Sequence, residues 1–181
     1  RAHHYGMRLL RRHKHLAATL RNSGDAFEIA LRTCSVEDVP DLYVAGTAWL
    51  GWIIAKPDSI EALADLPRAL DLMERILELD EGYGNGSAHL TFGIYYAIQP
   101  AGAGQDLAKS RHHFKRAIEL GGGNDLTARL LYAEFIGKAT LDRDFFSGQL
   151  EDILEFDVTI APDHRLANEL ALQRARMLLL N

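Results

Sequence analysis

Residues 90–120 read LTFGIYYAIQPAGAGQDLAKSRHHFKRAIEL, two helix-patterned segments separated by a loop rich in glycine and proline. Phe92, Gly93 and Tyr96 recur on one face of the first segment, and Ser110, Phe114 and Ala117 on one face of the second. The spacing of three and four residues is that of an α-helix. Gly93 and Ala117 are small enough to let two helices approach closely, while Phe92, Tyr96 and Phe114 are large enough to fill the space beside them. The stretch is therefore expected to be an antiparallel helix pair, with its close crossing at Gly93 and Ala117.

The same pattern recurs outside this pair. RILELD at 75–80, RAIELG at 116–121 and DILEFD at 152–157 each close a helical segment and precede a break, at offsets of 41 and 36 residues. A period of about 34 to 45 residues per helix pair is that of tetratricopeptide and related solenoids. Phe92-Gly93 and Tyr96 occupy the Leu-Gly and Tyr places of the tetratricopeptide first helix. Ser110, Phe114 and Ala117 occupy the small, Phe and Ala places of its second, although the loop QPAGAGQD is longer than that repeat allows. Helices are expected at 3–21, 25–34, 38–55, 59–79, 86–98, 105–120, 124–138, 143–156 and 163–180. Asp58, Asn124 and Asp163 are candidate N-caps. Pro67 predicts a short lead-in turn and then a main helix to Leu79. No β-branched run alternates with polar residues, so strands are not expected. The fold class is all-α: a tetratricopeptide-like α-solenoid of antiparallel pairs with a C-terminal capping helix. Residues 1–181 form a single helical-repeat domain of about four pairs plus a terminal helix, with a concave surface.

The terminal segment DHRLANELALQRARMLLL, 163–180, carries one anomaly. At 100° per residue, Leu166, Ala167, Leu170, Ala171, Met177 and Leu178 form an apolar stripe with Arg174 at its centre. A guanidinium placed there needs a partner, because an unpaired buried charge is costly. The acids of residues 142–157 precede it in the chain, and Asp142 is the first choice for a structural ion pair that locks the cap onto the last repeat.

Composition narrows the function. Hydrophobic residues make up 48% of 181 residues, enough for a substantial core, and the formal charge is −5. With cations dispersed along the chain, binding to nucleic acid is not expected. RRHKH at 11–15, the one basic cluster, reads as a solvated helix face. A single cysteine, Cys34, excludes an internal disulfide and a cysteine-based metal site. No apolar run is long enough to span a membrane. The chain starts without Met, inside a helical pattern at RAHHYGMRLL, as expected of a trimmed chain or a processed export product.

No catalytic constellation is recognisable: there is no Gly-x-Ser-x-Gly, no Walker loop and no His-Glu-x-x-His. GGGND at 121–125 follows a helix rather than a strand and is set aside as a phosphate site. The pairs His3-His4 and His112-His113 splay apart on a helix, and His13 and His15 do not share a face, so no metal site and no cofactor are expected. The chain is read as a binding protein rather than an enzyme. The ligand- or partner-binding candidates are Trp49 and Trp52, three apart in AGTAWLGWIIA, His89, one turn before Gly93, and Tyr95 and Tyr96. Their rings belong either to ordinary repeat core or to the wall of a pocket for a small or hydrophobic ligand.

The stretches AWLGWI (48–53), ERILELDEGYGNGSAHLTFGIYYAIQP (74–100), AKSRHHFKRAIEL (108–120), YAEF (132–135), LDRDFFSGQLEDIL (141–154) and HRLANELALQRARMLL (164–179) together resemble the T component (TatT) family of tripartite ATP-independent periplasmic (TRAP) transporters. The resemblance runs from about Tyr43 to Leu180. It implies a tetratricopeptide-like protein of the bacterial periplasm, exported by a signal or lipoprotein segment outside this sequence. It further implies work beside the substrate-binding component of a TRAP transporter, with a hydrophobic or carboxylate ligand. Self-association around a pore is also implied, a trimer being one such form. The family has no catalytic residue to carry over. The alternative is a generic tetratricopeptide adaptor for proteins, unrelated to transport.

Overall fold

The structure is a computed structural model that describes residues 1–20 and 25–180. All regular structure among them is helical, and the chain divides into two compact units, Arg1–Tyr83 and Gly84–Asn181. The break read from the sequence at residues 21–24 lies outside the described residues.

The first unit contains α1 (Ala2–Leu10), α2 (Lys14–Thr19), α3 (Ala26–Leu31), α4 (Val39–Ile54), α5 (Ile60–Ala64) and α6 (Leu66–Asp80). Helix α4 lies between α1 and α6. A Cβ on Gly6 would come within 3.1 Å of the Ala45 backbone, and one on Gly46 within 2.6 Å of Met73. Glycine at these two crossings is what brings three helices into contact. Leu10, Leu16, Leu42 and Leu72 are fully buried around them, each worth about 1.5–3 kcal/mol in apolar transfer. Pro67 sits in the first turn of α6 after the short α5, as its missing N–H requires.

Two expectations fail here. The helix expected over 3–21 is broken at residues 11–13, because the His13 ring turns away to meet Asp41 at 3.2 Å and Asp38 at 3.4 Å. RRHKH thus spans that turn and the start of α2, with His13 held by a tertiary contact, and is not one continuous helix face. The N-cap of α5 is Ser59, one residue after Asp58, with its hydroxyl accepting from the Ala62 N–H.

The second unit contains α7 (Tyr83–Ile98), α8 (Leu107–Leu120), α9 (Leu126–Thr140), α10 (Arg143–Leu154) and α11 (Arg165–Leu179). Gly84, Asn85 and Gly86 are all left-handed, with φ of 58°, 58° and 74°, so right-handed helix in α7 starts after them. Only Gly, and less readily Asn, takes that conformation at little cost. Helices α7 and α8 pack as an antiparallel pair. A Cβ on Gly93 would meet the Phe114 ring at 3.0 Å, and one on Gly86 the Ala117 backbone at 3.2 Å. Gly93 therefore faces Phe114, and Ala117 faces Gly86; the expected Gly93–Ala117 crossing is shifted by about two turns. Ser110 Oγ donates to Gly93 O at 2.6 Å and ties the pair together. Phe114, Tyr132 and Ile136 continue the core into α9, and Gly137 of α9 accepts the Phe146 ring of α10.

The terminal helix is rotated from its expected orientation. Asn168, Ala171 and Ala175 are its buried residues, packed among Leu126, Leu130, Leu150 and Ile153. Leu166 and Leu170, placed in the inward stripe by the helical wheel, are 73% and 57% exposed. Arg174 does not pair with Asp142. Its guanidinium donates to Glu134 of α9 at 2.9 Å, while Asp142 caps α10 by accepting from the Phe145 N–H at 2.9 Å. The expected pair fails because α11 also packs on α9, where Glu134 meets the guanidinium, and Asp142 serves as the cap of its own helix. Asn124 and Asp163 do not cap either; Asp125 caps α9, and α11 starts without a side-chain cap.

Candidate functional site

The close crossing at Gly6 lays the start of α1 over the aromatic part of α4. One turn before Gly6, the His3 ring stacks on Trp52 with centroids 4.5 Å apart and planes 11° apart, and lies 6.1 Å from Trp49. The Lys56 ammonium covers Trp52, 5.3 Å from the ring centroid. Trp49 is buried, and its indole N–H donates to Asp65 Oδ2 at 3.1 Å. Beside these rings is a cavity of about 580 Å³ lined by His3, Met7, Arg11, Ala17, Leu20, Trp49 and Asp65. Burial above all lowers the His3 pKa, which keeps the ring neutral near pH 7, and its Nε2 is buried without a hydrogen-bond partner.

A second hollow of about 660 Å³ lies between α3 and α6, lined by Glu28, Leu31, Arg32, Asp71, Glu74, Arg75 and Glu78. Its cations are committed: Arg32 to Glu28 at 2.6 Å and Arg75 to Glu78 at 2.7 Å. Arg75 also donates to the carbonyls of Arg32 and Cys34, which closes the end of α3.

The candidates in the second unit form a packed aromatic group. His89 is 6% exposed, and its Nδ1 lies 2.9 Å from Nδ1 of His113 on the paired helix. His113 stacks on Phe92 and Tyr96, with centroids 5.3 Å and 5.7 Å away. Tyr95 lies edge-on to Tyr96, and the Lys109 ammonium sits over the Tyr96 ring. Burial first, then the neighbouring His89, His112 and Lys109, pushes the His113 pKa down to about 4. The sequence singled out His89 but offered His113 only as half of a splayed pair set aside as a metal site. The signal that joins them is the register of the pair: His113 precedes Phe114, which packs on Gly93, one turn from His89. No group of three or more His, Cys, Asp or Glu side chains is placed to hold a metal among the described residues. No described helix is long and apolar enough to cross a membrane.

An all-α protein of packed helices, with aromatic and polar side chains gathered around a cavity, is the class these features define. A family model described as the TRAP transporter T-component matches residues 1–181, and the chain belongs to that family, whose members are non-catalytic accessory components. The chain is also similar to an uncharacterized protein of Treponema pallidum (strain Nichols), 26% identical over 164 residues. That match covers 86% of this chain and 49% of the relative, so the chain spans about half the length of the curated relative it matches.

Proposed function

We propose that this chain is a periplasmic, tetratricopeptide-like binding or scaffold protein that works beside the substrate-binding component of a TRAP-type transporter and handles a hydrophobic or carboxylate ligand. The family match over residues 1–181 carries this reading. The antiparallel α7–α8 pair, with Gly93 against Phe114 and Ser110, supports the repeat assignment. Self-association, as a trimer, belongs to the same proposal. The protein acts by contact and not by chemistry.

The test is calorimetric titration of the purified chain with the substrate-binding component of a TRAP transporter from the same organism, alongside sedimentation of the chain alone. Saturable one-to-one binding is the expected result, and it should be absent with an unrelated periplasmic binding protein. Equal heats with both proteins would remove the transporter link. A monomer at every concentration would remove the trimer.

A further inference from the structure

We infer that the outer face of α1 is a docking surface for an anionic phospholipid bilayer. Arg1 and Arg8, with Arg12 in the turn beyond them, meet the headgroup phosphates, and Tyr5 enters between them. Residues 1, 5 and 8 recur at helical spacing on the side of α1 opposite the buried Gly6 and Leu10. All three are exposed, Tyr5 by 60%, and the Arg8 guanidinium lies over the Tyr5 ring.

The sign of the partner follows from an asymmetry inside the first unit. Cations are dispersed along the whole chain, but acids are not: residues 1–24 hold six Lys and Arg and no Asp or Glu, whereas residues 25–83 hold four and 13. The acids that reach α1 approach from its packed side or its end. Asp65 and Glu61 act on His3, which stacks on Trp52, and Asp38 and Asp41 meet His13. Arg12 lies 3.8 Å from Asp41 but keeps 71% of its side chain exposed. Arg1, Arg8, Arg11 and Lys14 have no carboxylate partner among the described residues. The outward charge of α1 is therefore positive and uncommitted, which selects a polyanion.

The form of the face favours a bilayer over an acidic protein. It is the convex side of a helix, and the cavity beside α1 is lined by His3, Met7 and Arg11, not by Arg1, Tyr5 or Arg8. A convex row of guanidiniums gives a folded partner little to grip, but mobile anionic headgroups can gather around it. Arg1 and Arg8 are about 10 Å apart along the helix axis, about one Debye length at 0.1 M salt, so their fields add. Tyr5 has an apolar body and a polar tip, which suits headgroup depth. The acidic remainder of the unit is repelled by the same surface, so the field also orients the unit with α1 toward the bilayer. This surface is independent of the transporter reading, and its test uses neither a partner protein nor a solute.

The test is co-sedimentation of the full chain with vesicles of phosphatidylglycerol and phosphatidylcholine in equal parts, against vesicles of phosphatidylcholine alone. Binding to the mixed vesicles should be at least about tenfold tighter, and it should weaken as salt rises from about 0.05 to 0.5 M. Replacing both Arg1→Gln and Arg8→Gln should weaken it on the order of twentyfold, since each cation at such a surface contributes about fivefold. The melting temperature should not change, because both side chains are exposed. A control variant, Lys115→Gln with Arg143→Gln, removes two exposed cations of the second unit and should bind within about twofold of the parent. Equal binding to the two kinds of vesicle would overturn the proposal. So would an α1 variant that binds like the parent, or a control variant that loses as much as the α1 variant. Polyglutamate that binds more tightly than the mixed vesicles, per unit of negative charge, would reassign the face to an acidic protein.

Discussion

Asn168 secures the last helix, and it does so through both ends of one amide. The residue is fully buried; its Oδ1 accepts from the Leu126 N–H at 3.0 Å and its Nδ2 donates to Asn124 O at 2.8 Å. A side chain of α11 thus satisfies backbone groups at the start of α9, where helices leave N–H groups unpaired. Asn168→Ala strands a buried donor, and the expected loss is about 1–3 kcal/mol in denaturant unfolding. Arg174 should matter less. Its side chain is 48% exposed, and Glu134 keeps Lys138 at 2.6 Å when Arg174 is gone. Arg174→Met is expected to cost about 0–1 kcal/mol. An arginine variant that unfolds at lower denaturant than the asparagine variant would reverse this order of importance. Arg174 stood out in the sequence because a charge in an apolar stripe is conspicuous. Asn168 did not, because nothing in a single helix shows that two backbone groups of another helix will need an amide.

At the scale of the element, α11 shows why a helical wheel identifies a helix better than its orientation. Its sequence has two apolar faces: one of large residues, Leu166, Leu170 and Met177, and one of small residues, Ala171 and Ala175, beside Asn168. The small face wins, because it lets α11 approach α9 and α10 closely around Leu126, Leu150 and Ile153. Opposite responses to substitution follow. Leu170→Glu should change unfolding free energy by no more than about 0.5 kcal/mol. Ala175→Leu overpacks a fully buried position and should cost about 1–3 kcal/mol. A large loss for Leu170→Glu with none for Ala175→Leu would restore the orientation read from the sequence. The α7–α8 pair was more legible, since Gly93 and Phe114 are distinctive enough to mark a contact. Even there, the partner of Gly93 was displaced along α8, because register depends on how large rings seat between helices.

For the whole molecule, acidity is the condition to which the fold should respond, and the sign follows from His113. Its folded-state pKa, about 4, lies below the ordinary value of 6.5, so the fold binds fewer protons than the unfolded chain between those values. The stability linked to neutral His113 is complete above pH 6.5 and is lost as pH falls toward about 4. The melting temperature should therefore drop through that window. His113→Phe, which keeps a ring against Phe92 and Tyr96, should flatten the drop above about pH 5, before most carboxylates titrate. The flattening is partial, because His3 is also held low. Identical slopes for parent and variant between about pH 5 and 6.5 would show that the histidine pair is not the source. Glu134 adds a separate acid-side loss. Burial, its largest influence, raises its pKa, yet the hydrogen bonds from Lys138 and Arg174 together hold it below the ordinary carboxylate value. The stability it contributes is present above that value and lost as pH falls through the lowered one. By itself the sequence determined the all-α class, most helix positions, the break before Pro67 and the resemblance to the T-component family, because helical periodicity and Gly and Pro punctuation are local properties of the chain. Only the tertiary structure decided that α1 and α2 part at His13, that α11 buries its alanines, that His89 meets His113, and that Arg174 takes Glu134. Each of these is a choice among nearly equal local options, settled by steric fit and by which polar group was still unpaired once the helices had packed.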